Sequence, residues 1–315
     1  MPNLAIIGAG IMGANHGRVA RSTPDVTVTT VCDPDPQRAA TLAKAIGAQY
    51  TTDLDEALAG VDAAILATPS ETHGELGARI LRSGRDLLVE KPIATSVADA
   101  RHLIDLAEKH ERVLMVGHVE RFNPAVTELL QLVDDPLSLE ITRVGPFSNR
   151  ALADVLLDLM IHDVDLARTV AGSEIVTHRA ATRIVRSAEQ DLAFALLMFE
   201  NGMIANITAS RVSQQKIRRV TLTQRNDCVI ADLLRQQVEV HRIEHSEFLS
   251  EGGVRYRQSG RVEIPFLSQH GEPLMHELRH FADCVVNRRR PVVSGEDGLA
   301  ALDVCLQIRD TALVG

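Results

Sequence analysis

Leu4-Ala5-Ile6-Ile7-Gly8-Ala9-Gly10-Ile11-Met12-Gly13 is the stretch that decides the fold. Four apolar residues read as a buried strand. The glycines at 8, 10 and 13 form a GxGxxG that follows this strand and opens a helix, the context the motif requires. Gly8 permits the tight turn, Gly10 lets the backbone approach a pyrophosphate, and Gly13 lets helix and strand pack closely. The helix N-terminus offers free N–H groups and partial positive charge to phosphates, which makes Ile11 and Met12 part of the same binding turn. Twenty residues beyond Gly13, Asp33 ends the second apolar run, where a carboxylate accepts from both ribose hydroxyls of a dinucleotide. Asp33 repels a 2′-phosphate, and Pro34 follows it in place of a basic or hydroxyl residue. The expected cofactor is therefore NAD rather than NADP, with Arg38 leaving that choice open.

Working outward, short apolar runs alternate with helical stretches up to about residue 120. Strands are expected at 4–7, 26–31, 63–67, 86–89 and 113–116, with helices from about Met12, Pro36, Ser70 and Ser96. Continuously apolar strands of this kind belong to a parallel sheet buried on both faces. Further on, 190–200 and 203–212 flank Asn201-Gly202, which suits a type I′ hairpin turn. Runs at 220–223, 229–232 and 237–241 extend that sheet, and 245–270, polar and glycine-bearing, reads as a long surface loop. The helical period returns in Leu274, Leu278, Phe281 and Val285, and again from Leu299 to Ile308. The expected fold class is thus α/β plus α+β. An N-terminal Rossmann domain with a doubly wound parallel sheet (1–120) precedes a domain on a mostly antiparallel sheet (121–315), whose C-terminal helices are free to pack back on the first.

The 315 residues suffice for two domains, each with its own core. No apolar run approaches the roughly 20 residues needed to cross a bilayer, and Leu4–Ile7 lacks the basic flank of a signal peptide. Cys32, Cys228, Cys284 and Cys305 stand far apart, which fits unlinked thiols in a reducing cytoplasm better than disulfides or a zinc framework. A net charge of -9 disfavours a general grip on nucleic acid. Arg288-Arg289-Arg290 reads as a solvated helix end.

Three further segments are Thr68-Pro69 with His73, Glu90-Lys91-Pro92, and Asp158-Leu159-Met160-Ile161-His162-Asp163-Val164-Asp165. With the glycine motif they resemble, in order, the Gfo/Idh/MocA oxidoreductase family, as do Glu272-Pro273-Leu274 and Gly298-Leu299-Ala300-Ala301-Leu302 near the end. The resemblance implies an NAD-dependent oxidoreductase with catalytic Lys91, Asp158 and His162. It also implies cofactor contacts from Thr68, Pro69, His73, Glu90 and Lys91. Met160 departs from the glycine usual two residues before the histidine. The chemistry agrees: alcohol oxidation needs a base, a group stabilising the alkoxide and a positioned nicotinamide. A lysine at a strand's carboxyl end lies at the crevice where such sheets bind ligands. Asp158 and His162, four apart, share one face if helical.

Gly117-His118-Val119-Glu120-Arg121-Phe122-Asn123-Pro124 resembles the subgroup acting on nucleotide-linked amino sugars. It implies a sugar or sugar-nucleotide substrate, with oxidation at C3 of UDP-N-acetylglucosamine, and makes His118, Arg121 and Asn123 candidate substrate contacts beside Lys91, Asp158 and His162. Arg121 has two readings, an oxyanion clamp or a structural partner of an acid. A free sugar or inositol is the alternative substrate.

Two competing classes bear on these residues. His276-Glu277-Leu278-Arg279-His280 matches HExxH, a zinc-hydrolase signature, but lacks a third ligand at the expected spacing, and its helix needs Leu278 and Phe281 for a buried stripe. No metal is expected. A non-catalytic NAD and sugar sensor would have no need for all of Lys91, Asp158 and His162. The second sheet is expected to leave one apolar face free, including Phe194 and Leu196, and so to build a homodimer or homotetramer.

Overall fold

The computed structural model describes residues 1–148, 154–250 and 253–314, with side chains of 245–257 left aside. The chain divides into two compact units, Met1–Phe122 with Gly271–Val304, and Asn123–His270 with Cys305–Gly315.

The first unit runs β1 (Asn3–Ile7), α1 (Ile11–Arg21), β2 (Thr27–Cys32), α2 (Pro36–Ile46), β3 (Gln49–Thr51), α3 (Leu54–Leu58), β4 (Ala63–Leu66), α4 (His73–Arg82), β5 (Asp86–Glu90), α5 (Val97–Lys109) and β6 (Leu114–Gly117). All six strands are parallel, in the order β3-β2-β1-β4-β5-β6. The order reverses between β1 and β4, the switch point at which such sheets bind ligands. Local chemistry sets the helix starts. Asp35 caps α2 by accepting from the Gln37 and Arg38 amides at 2.9 and 3.2 Å, with Pro36 pre-set at the first helical position. Ser96 caps α5 through the Asp99 amide at 3.1 Å.

The second unit contains α6 (Pro124–Gln131), β7 (Pro136–Val144), α7 (Ile161–Ala171), β8 (Ile175–Arg183), β9 (Leu192–Phe199), β10 (Ile204–Ser210), β11 (Ile217–Gln224), β12 (Cys228–Asp232), β13 (Gln237–Ser250) and β14 (Gly253–Glu263). These strands form a sheet in the order β14-β13-β12-β11-β7-β10-β9-β8, closed at the β8 edge by β15 (Leu313–Val314). Most pairs are antiparallel, but β7 with β10 and β8 with β15 run parallel. Alternation along β9 buries Ala193, Ala195, Leu197 and Phe199, and leaves Phe194, Leu196 and Met198 between 42% and 47% exposed.

The structure corrects two expectations here. First, the segment expected as a loop over 245–270 carries a long hairpin, with β13 and β14 paired from Val240↔Glu263 to Ser250↔Gly253, although 251–252 lie outside the described residues. Its base is held by Arg242 to Glu263 at 2.8 Å and Arg261 to Glu263 at 2.9 Å. Backbone pairing and charge, rather than apolar alternation, carry this ribbon. Second, the β9–β10 turn is not type I′, which needs positive φ at both central residues. Only Gly202 has it (φ +87°). The Asn201 side chain is engaged instead, accepting from the Met203 amide at 3.0 Å and donating to the Ala171 carbonyl at 2.9 Å.

The chain's last helices are α8 (Pro273–Asn287) and α9 (Gly295–Thr311). The former packs within the first unit against α1 and the short turn Val119–Phe122. Among the described residues, no helix is long and apolar enough to cross a membrane. All four cysteines are free thiols.

Candidate active site

In the first unit the expected cofactor residues line the carboxyl ends of the parallel strands. A Cβ at Gly8 (φ +100°) would lie 2.5 Å from the Ala67 carbonyl oxygen, and one at Gly13 would lie 1.8 Å from that of Gly8. Neither position admits a side chain. Gly10 caps α1, and nothing lies within 4 Å of where its Cβ would be, so the open side of the turn is free for phosphate oxygens to approach backbone N–H groups. Ile11, 65% exposed, stands beside it, with Met12 next on the helix. Buried Asp33 accepts from the Ala9 amide at 2.7 Å and the Asp35 amide at 2.9 Å. A carboxylate has about four lone-pair sites, so two remain for ribose hydroxyls.

At the ends of β4 and β5, His73 acts as a clasp. Its Nδ1 lies 2.8 Å from the Pro92 carbonyl oxygen and its Nε2 3.0 Å from that of Thr68. The Thr68 hydroxyl lies 2.7 Å from that of Thr72, which donates to the Pro69 carbonyl at 2.7 Å. Thr68, Pro69, His73 and Pro92 are thus tied together around Lys91. Glu90, at the end of β5, is buried and lies 2.7 Å from His16 Nε2 of α1. Burial opposes its charge, yet the His16 hydrogen bond, assisted by Lys91 and His73, holds its pKa below the ordinary carboxyl value.

After β6, His118 is fully buried. Burial pushes its pKa down to about 3, helped by the positive Arg121 and Lys91 and opposed by Asp297 and Glu90. It is a neutral imidazole at ordinary pH. Arg121 has a side chain only 8% exposed, 3.9 Å from Asp297, the geometry of its structural reading. Asn123 belongs to the second unit and is used at both ends by the fold. Its oxygen caps α6 at the Ala125 amide (3.1 Å) and its nitrogen donates to the Leu233 carbonyl (3.1 Å). These two bonds fix its side chain between the start of α6 and the turn after β12.

Asp158 and His162 also lie in the second unit. His162 is buried in the first turn of α7, whereas half-buried Asp158 sits in a π-helical turn, Leu156–Met160, that leads into it. Asp158 and His162, four apart, therefore span the join between a π turn and an α-helix. Such π turns are rare and concentrate at functional sites. Asp154 supports the entry by accepting from the Leu157 amide at 2.8 Å.

The HExxH segment does lie on α8, but not as a zinc pair. His280 Nε2 accepts from the Val292 amide at 3.0 Å and lies 3.4 Å from the Cys284 thiol. Glu277 is directed into the interior, fully buried. With His16 and Glu90 it forms a cluster that the sequence reading did not single out. An available signal was Glu277 itself, an ionisable residue three after Leu274 and four before Phe281, on the helix's buried stripe.

Known proteins match this arrangement. The description "Oxidoreductase family, NAD-binding Rossmann fold" fits residues 3–118, and "GFO/IDH/MocA C-terminal domain" fits 147–229. The UDP-N-acetylglucosamine 3-dehydrogenase of Acidithiobacillus ferrooxidans is 31% identical over 96% of this chain and 95% of its own. The chain belongs to the Gfo/Idh/MocA oxidoreductase family. A crystal form of the same Acidithiobacillus enzyme superposes with a TM-score of 0.89 at 29% identity, covering 99% of this chain and 97% of that one. The scyllo-inositol 2-dehydrogenase (NAD(+)) of Bacillus subtilis is 26% identical over 95% of this chain and 91% of its own. As a Gfo/Idh/MocA oxidoreductase the protein carries an NAD-binding Rossmann domain, and the open side of Gly10 with the spare acceptor sites of Asp33 fits that cofactor.

Proposed function

We propose that this oxidoreductase oxidises a secondary hydroxyl of a sugar, with C3 of UDP-N-acetylglucosamine as the reacting position. The observation that carries the reading is the end-to-end likeness to the Acidithiobacillus enzyme, 31% identical over 96% of the chain. NAD supplies the hydride acceptor when bound. His162 takes the hydroxyl proton, Asp158 orients its imidazole, and the ammonium of Lys91 stabilises the developing alkoxide. Gly8, Gly10, Ile11, Met12, Gly13 and Asp33 hold the dinucleotide, and Thr68, Pro69, His73 and Glu90 hold the edge carrying Lys91. His118 and Arg121 border the sugar, and Met160 in place of glycine reshapes its pocket. In this reading the first 120 residues bind NAD, and the remainder binds substrate and assembles the oligomer. Four free thiols support a cytoplasmic setting.

The test is NADH absorbance with purified protein, NAD and a panel of UDP-sugars, free hexoses and inositols. Turnover with UDP-N-acetylglucosamine above all others is expected. Preference for an inositol, favoured by the Bacillus relative, would displace the sugar nucleotide, and no turnover with any of them would leave the sensor reading. A second copy of the chain is expected on the face of the sheet carrying Phe194, Leu196 and Met198, since an apolar face of this extent marks an interface. A dimer or tetramer by light scattering at micromolar concentration checks this, and a monomer contradicts it.

A further inference from the structure

His16 of α1, Glu90 of β5 and Glu277 of α8 present ligand atoms within 4.8 Å of one another, and all three are buried. Glu90 is committed to His16 at 2.7 Å. Glu277 is different. Neither of its carboxyl oxygens has a hydrogen-bond partner among the described residues, and its exposure is zero. A carboxylate in that position would be a buried charge facing a second carboxylate with no donor to stabilise it, and such groups keep a proton instead.

We infer that Glu277 is a neutral carboxylic acid that donates its proton to Glu90, directly or through one buried water, and so positions Lys91, the next residue. Glu277 thereby becomes a positioning residue for the oxidation proposed above, and that part of the inference rests on that reading. His16, Glu90 and Glu277 then form one chain of hydrogen bonds joining α1, β5 and α8. Gly117 makes room for this arrangement, since a Cβ there would approach Glu90 Oε2 to 3.2 Å. Burial pushes the Glu277 pKa well up, and the charge of Glu90 pushes it further.

A metal ion is the competing occupant of the same three groups. Zinc–nitrogen and zinc–oxygen bonds of about 2.0–2.2 Å at a tetrahedral angle hold two ligand atoms about 3.3 Å apart. His16 Nε2 and Glu90 Oε1 are closer than that, at the 2.7 Å of a hydrogen bond with a proton between them. The geometry favours the proton.

The other ionisable groups on elements facing the cluster are Lys91 after β5, His73 on α4, His118, Glu120 and Arg121 after β6, Asp297 on α9, and His276 and His280 on α8 itself. The sign of the pH effect follows from the raised value. Glu277 favours folding fully below the ordinary carboxyl value of 4.5, and its contribution falls as pH rises from there through the folded value. E277Q, which cannot ionise, escapes that loss.

The deciding experiment is infrared spectroscopy of the full-length protein at neutral pH, beside denaturation midpoints over a pH series. The C=O stretch of a protonated carboxylic acid, distinct from the carboxylate bands, is expected in wild type and absent from E277Q. The E277Q midpoint should rise relative to wild type as pH increases. An acid band that survives in E277Q, or parallel pH profiles, overturns the inference. So does stoichiometric bound metal by elemental analysis that E277Q loses. Neither spectrum nor midpoint needs a substrate, so their failure is separate from failure of the proposed activity. With the preferred sugar, E277L should lower kcat about tenfold or more with little change in KM for NAD, as expected of a misplaced Lys91. E277Q should restore most of that loss, and an E277Q as impaired as E277L would remove the positioning role.

Discussion

The two units bury their charges differently. In the second unit two well-enclosed ion pairs help to complete the frame. Arg143 donates from Nε to both oxygens of Asp163 at 2.8 and 3.0 Å, with both side chains almost wholly enclosed. Asp191 faces Arg211 at 3.0 Å and gathers the amides of Val185, Arg186 and Ser187 and the Ser187 hydroxyl at 2.6 to 3.0 Å. Burial opposes its charge, but those donors outweigh burial and hold its carboxyl far below the ordinary range. In the first unit Asp86 is likewise paired, with Arg288 at 2.7 Å, but Asp33 after β2 keeps acceptor sites to spare and Glu277 of α8 faces a second carboxylate instead of a cation. A paired charge serves architecture, whereas a carboxylate with acceptor sites left over offers them to a ligand's donors.

That contrast can be broken by substitution. The largest effects are expected on turnover: His162→Ala removes a base and should cost about 10²–10⁴, and Lys91→Ala should cost at least about 10². NAD affinity by calorimetry should stay near normal in both. Near-normal turnover in both variants would reduce these residues to structure. Next comes Asp163→Ala, which strands the buried Arg143 guanidinium and should destabilise the fold by about 3–5 kcal/mol in chemical denaturation. A loss below about 1 kcal/mol would show that the pair is no keystone.

His118 gives a smaller, pH-dependent effect. Its folded pKa is about 3 against an ordinary 6.5, so between those values the unfolded chain holds a proton that the folded chain lacks. Stability attributable to it is full above 6.5 and falls as pH drops, by up to about 1.4 kcal/mol per pH unit. His118→Gln should flatten the slope of denaturation midpoint against pH in that window, and an unchanged slope would show that another group carries it. Smallest is Asp33→Ser, which should move the NAD over NADP preference towards NADP by about tenfold, or 1.4 kcal/mol. Equal affinities for both cofactors in the wild type would remove the argument from Asp33.

How much of this was legible follows the same contrast. The first unit announces itself locally: GxGxxG fixes β1, the turn and α1, while Pro36 and Ser96 mark helix starts where the structure has them. The second unit depends on partners distant in sequence. β7 gave no reading of its own because its place is set by parallel pairing to β10 and antiparallel pairing to β11, more than sixty residues on. The β13–β14 ribbon hid behind polar composition, since a hairpin satisfied by its backbone ladder needs no apolar alternation. At Asn201-Gly202 the sequence showed a hairpin but not its turn type, which side-chain bonds to Met203 and Ala171 settle. In the site, strand-end residues were readable from motif and spacing. The π turn under Asp158 was not, and for Glu277 the stripe of α8 signalled the inward aim while its neighbours His16 and Glu90 are set by tertiary packing.

The packing of α8 against α1 also sets an order of assembly. A chain emerging from the ribosome has made all six strands of the parallel sheet by residue 117, yet α8 begins only at Pro273. For more than 150 residues of synthesis His16 and Glu90 wait without their third member, and the interior face that α8 covers is left to solvent or to chaperones. The domain that is first in sequence is therefore among the last to be finished, and a nascent chain halted before α8 would present an open seam beneath the cofactor-binding edge.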